Sequence, residues 1–62
     1  MTTVTLNVEL TTEQADALAL FCKRVGFMEF SHNANTEPQA YAMRDAQMRV
    51  GEALKANGYH PR

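Results

Sequence analysis

The chain has 62 residues, six of them basic and seven acidic, for a net charge of −1. That length allows one domain with a small core, and chains below about 70 to 80 residues usually need disulfides, a metal or oligomerisation to be stable. The single cysteine, Cys22, excludes an intrachain disulfide, and the balanced charge lacks the basic excess expected of a nucleic-acid module.

TVTLNVEL, residues 3 to 10, alternates polar and apolar side chains and predicts a strand. Val4, Leu6, Val8 and Leu10 share one face; Thr3, Thr5, Asn7 and Glu9 share the other. TTEQ follows. Thr11 with Gln14 fits a capping box, in which a hydroxyl and a side-chain amide each satisfy an orphan backbone N–H, and Thr12 is an equal candidate for the cap. Glu13 and Asp16 suit the positive end of the helix dipole.

A first helix is predicted over residues 12 to 25, with Ala15, Leu18, Phe21, Cys22 and Val25 as its buried face. Leu20 lies on a different side. Lys23 and Arg24 complement the dipole of the last turn, and Gly26 is placed to end the helix in the left-handed conformation. FMEF, residues 27 to 30, reads either as a short second strand or as a loop anchored by Phe27 and Phe30. SHNAN, residues 31 to 35, reads as a polar loop within a connection spanning 26 to 36.

Thr36 opens a second long helix, with Gln39 completing another capping box and Pro38 in the first turn, where its missing N–H costs nothing. This helix is predicted over residues 37 to 56. Ala40, Met43, Ala46, Val50, Ala53 and Leu54 form its apolar stripe, widened by Tyr41 and Met48. Asp45 and Arg49 are spaced as an i,i+4 ion pair. Gly51, in mid-helix, suggests a close crossing by another helix. Asn57-Gly58 ends the helix, and Pro61 follows in a tail covering 57 to 62. The expected fold is a single α+β domain: an N-terminal strand, two helices, and a candidate second strand at 27 to 30.

A strand needs partners for its backbone N–H and C=O groups. Two solutions are open: FMEF in the same chain through a right-handed crossover, or the same strand of a second chain across a two-fold axis. The second also meets the size argument, so a homodimer paired through Val4, Leu6, Val8 and Leu10 is the leading expectation. TVTLNVELTTEQADALALF, a strand running into a capped helix and then a second helix, resembles the ribbon-helix-helix proteins. That resemblance implies a dimeric regulator whose ribbon enters the DNA major groove, with Thr3, Thr5 and Asn7 facing the bases. In size and style the chain also resembles short proteins of proteobacteria and their phages, among them inhibitors of host defence.

Charge ranks these alternatives. No lysine or arginine precedes Lys23, while Glu9, Glu13 and Asp16 do. Phosphate attraction dominates DNA affinity, and Glu37 would compete with a phosphate for the N–H groups of the second helix. Candidate chemistry is sparse. Cys22 falls on a buried helix face. His32 and His60 have no neighbouring ligand at metal spacing. There is no phosphate-binding glycine loop and no nucleophile–base pair, so neither an enzyme nor a cofactor or metal site is expected. Glu9, Glu13 and Asp16 could dock on a basic surface of another protein. Phe27, Met28 and Phe30, with His32 and Asn33 beside them, have the aromatic and methionine character of a protein contact. The sequence therefore predicts a cytoplasmic, non-enzymatic, homodimeric module that binds a protein. Its most concrete form is a phage or mobile-element protein that inhibits a host factor. DNA regulation ranks second, and no membrane span is expected.

Overall fold

The computed structural model describes residues 2 to 60. They form three helices, α1 (Thr12–Arg24), α2 (Phe27–Asn33) and α3 (Glu37–Ala56). No strand occurs among the described residues, so the expected α+β fold is replaced by an all-helical one.

The correction has a local cause. A strand at 3 to 10 needs a ladder partner, and the in-chain candidate, FMEF, is helical. Three apolar residues around Glu29 make too short a run to carry a period that separates strand from helix. Here the capping chemistry decides. The Glu29 carboxylate accepts a hydrogen bond from the Gly26 N–H at 3.0 Å, fixing the first turn of α2. Asn33 Nδ2 donates to the Glu29 carbonyl at 2.7 Å near its end. The connection expected over 26 to 36 thus contains a helix of seven residues. Gly26 is not left-handed: its φ is −106°, and it stands as the N-cap of α2.

The long helices start where short-range chemistry places them. Thr11 Oγ1 accepts from the Gln14 N–H at 3.1 Å, and Gln14 Oε1 accepts from the Thr11 N–H at 2.9 Å. At α3 the box is half-made. Thr36 Oγ1 accepts from the Gln39 N–H, but Gln39 Oε1 takes the Asn35 N–H at 2.6 Å instead of that of Thr36. The end of α3 is a Schellman turn. Gly58 has φ +92°, the Tyr59 N–H reaches the Leu54 carbonyl at 2.8 Å and the Gly58 N–H reaches that of Lys55 at 3.0 Å. Pro61 lies outside the described residues.

Helix α3 is central: α1 and α2 each pack on it and not on each other. Helices α1 and α3 run antiparallel, with Ala15 and Ala19 against Leu54 at one end and Cys22 against Gln47 and Gly51 further along. Small side chains at the crossing let the two backbones approach closely. Among the described residues the buried hydrophobics are only Ala15, Ala19, Ala40 and Leu54. Several residues expected in the core are therefore outside it. Phe21 is 56% exposed and Val50 42%, and Ala46 and Ala53 are exposed.

Candidate functional site

The N-terminal segment carries the expected pairing residues with their side chains in solvent. Val4 is 80% exposed, Leu6 76%, Val8 67% and Leu10 40%. Leu6, Val8 and Leu10 border an open groove whose floor is Leu18, Val50, Ala53 and Leu54. Thr3, Thr5 and Asn7 are exposed as well, but the paired ribbon that would carry them into a DNA groove is not formed in this chain.

The expected contact residues fall into two separate groups. Glu9, Glu13 and Asp16 are exposed around the start of α1. Phe27, Met28, Phe30, His32 and Asn33 all belong to α2, which follows the far end of α1. A helix of 13 residues is about 20 Å long, so the acidic and aromatic groups do not share one surface.

The aromatic group is the more organised. The rings of Phe27 and Phe30 meet edge to face, with centroids 6.4 Å apart. Phe27 also packs on Tyr41 of α3 at 4.9 Å. The Arg44 guanidinium lies over the Tyr41 ring, 5.0 Å from its centroid, and pairs with Asp45 at 3.0 Å. That pair replaces the expected Asp45–Arg49 one: stacking on Tyr41 delivers Arg44 to its neighbour's carboxylate. Met28, 68% exposed, projects from the same helix. Beside the Phe27–Tyr41 pair lies a shallow depression with a polar rim of Ser31, Asn35, Thr36 and Glu37.

Tyr41 and Arg44 belong to this edge and were not singled out from the sequence. Their signal was present: Tyr41 is displaced from the apolar stripe of α3, with an arginine three residues on, one helical turn away.

No cluster of three or more His, Cys, Asp or Glu capable of holding a metal occurs among the described residues. Cys22 is half-buried, its Sγ 4.0 Å from the Gln47 carbonyl oxygen. No helix among the described residues is long and apolar enough to cross a membrane.

The fold and this edge define a small, open three-helix protein with an aromatic surface cluster and a minimal core. The chain belongs to a family of unknown function, DUF7706, whose match covers residues 1–62. No curated protein and no solved structure matches it.

Proposed function

We propose that this chain is a non-enzymatic binding module that captures another protein through the α2 edge. One observation carries the reading: Phe27 and Tyr41 pack as an exposed aromatic pair flanked by Arg44 and bordered by polar groups, with Met28 exposed on the same short helix as Phe27. Aromatic residues, methionine and arginine are enriched in protein interfaces, with an apolar centre inside a polar rim. Tyrosine and arginine are also over-represented among the residues whose truncation costs most binding energy. The Phe27–Tyr41 packing holds two of the anchors in place, so little side-chain freedom is lost on docking.

The DNA-regulator alternative rested on a paired ribbon and is not carried forward. The acidic group of Glu9, Glu13 and Asp16 works against a phosphate backbone.

The experiment is affinity capture from the source cell with the full chain, run beside Met28→Glu and Tyr41→Ala. A protein retained by the wild type and lost with both variants, whose helical circular dichroism is unchanged, supports the reading. An identical set of captured proteins with all three chains contradicts it. So does tight binding of duplex DNA that weakens steeply with salt.

A further inference from the structure

A different surface, on the α1/α3 pair, is also unfinished. Gln14, Leu18 and Phe21 repeat along one side of α1 at helical spacing. Met43, Ala46, Val50 and Ala53 do the same along α3 with steps of three and four. The two lines face the same way, because Leu18, Val50 and Ala53 line a single groove. Neither line contains a charged residue, and Arg49 stands at the margin. Lys23 and Lys55 border the opposite side of the same pair.

We infer that this face is covered by a second copy of the same chain, packed on it across a two-fold axis. Three observations select that occupant. The first is area. A compact monomer of 6.9 kDa has an accessible surface of roughly 4,000 Å². This chain exposes 5537 Å², which is about 1,500 Å² more. Obligate homodimers bury roughly 1,000 to 2,500 Å² per chain; the excess, to which the exposed residues 2 to 11 also contribute, is of that order.

The second observation is shape. Because α1 and α2 do not touch, the helices do not close into a bundle. The Cα radius of gyration is 12.5 Å, against about 10.5 Å for a compact domain of this length. Domains are built from packed layers around one core, and a second copy of the α1/α3 pair supplies the missing layer. The third is charge. In a two-fold contact each patch meets the same patch on its partner. A charge near the centre would therefore face its own sign. A different protein could offer a compensating charge; a second copy cannot, and the face carries none. The exposed apolar side chains of Leu6, Val8 and Leu10 border the face and enlarge it.

This inference goes beyond the binding role of the α2 edge and uses other residues, so either can fail alone. Its test is sedimentation of the full chain beside Val50→Asp and Lys55→Asp. The wild type and Lys55→Asp should sediment as dimers, and Val50→Asp should associate about tenfold or more weakly. A wild type that stays monomeric at high concentration overturns the proposal, as does an undiminished Val50→Asp dimer. Should Val50→Asp fail to fold, thiol labelling decides. In a Cys22→Ala background, Ala46→Cys should be protected at high protein concentration and reactive on dilution, while Lys55→Cys reacts equally at both. Equal reactivity of Ala46→Cys at both concentrations contradicts the placement of the interface.

Discussion

Gln47 of α3 donates its side-chain amide to the backbone carbonyl of Cys22 in α1 at 3.0 Å. That carbonyl is one of the last four of α1, which have no partner within the helix. The Phe21 carbonyl is taken by the Val25 N–H at 2.8 Å; the Cys22 carbonyl is served from α3. A residue 25 positions away thus helps to end the helix, and it fixes the register between the two.

Gln47→Leu keeps the helix propensity of the position but removes the donor. The Cys22 carbonyl is then left partly buried without its partner, at a cost of about 1 kcal/mol. The expected outcome is a lower urea midpoint at unchanged slope. An unchanged midpoint would mean that water replaces the amide without loss.

Gly51 sits in the middle of α3, where a close helix crossing was one reason expected for a glycine. The crossing exists, but it has room. A Cβ at Gly51 would lie 3.6 Å from Cys22 Cβ and 3.6 Å from Gln47 Nε2, both ordinary contacts. Gly51→Ala should therefore stabilise the protein, by up to about 1 kcal/mol from helix propensity. A lower melting temperature for Gly51→Ala would show that the helices pack more tightly than these distances imply.

Gly58 is the reverse case. Its φ of +92° is one that L side chains rarely adopt, although no atom would crowd a Cβ there. Gly58→Ala should cost about 1 kcal/mol through backbone strain alone, and it should loosen Tyr59 from its packing beside Leu54. Thermal melts of Gly51→Ala and Gly58→Ala should move in opposite directions.

The two threonine N-caps differ in a testable way. At Thr11 both hydrogen bonds of the box are made, whereas Thr36 makes one, at 3.3 Å. Thr11→Ala is expected to cost about 1 kcal/mol and Thr36→Ala less. Both substitutions remove only the hydroxyl acceptor, which lies 3.1 Å from its N–H at Thr11 and 3.3 Å at Thr36, so equal losses would show that this difference carries no energy.

What could be read from the sequence was what short-range chemistry decides. Thr11 with Gln14, and Asn57 followed by Gly58, mark helix ends because their partners lie within a few residues. The strand at 3 to 10 was misread because alternation reports which side chains could share a face, not whether the backbone has a partner. FMEF became α2 through one carboxylate, that of Glu29, reaching back to Gly26. Phe27 and Met28 were expected as contact residues from their chemistry, but Tyr41 and Arg44 come beside Phe27 only through the packing of α2 on α3. Likewise, periodicity placed Phe21 and Val50 on apolar faces without revealing that they stay largely uncovered among the described residues.

That exposed face is where we propose a second copy packs, which would make a single chain half of a folding unit. The most direct measurement is the urea midpoint of the wild type over a hundredfold range of protein concentration, with mass followed by sedimentation. Because association stabilises the folded state by mass action, the midpoint should rise with concentration and the folded species should have twice the chain mass. A midpoint independent of concentration, with a folded species of single-chain mass, would contradict it.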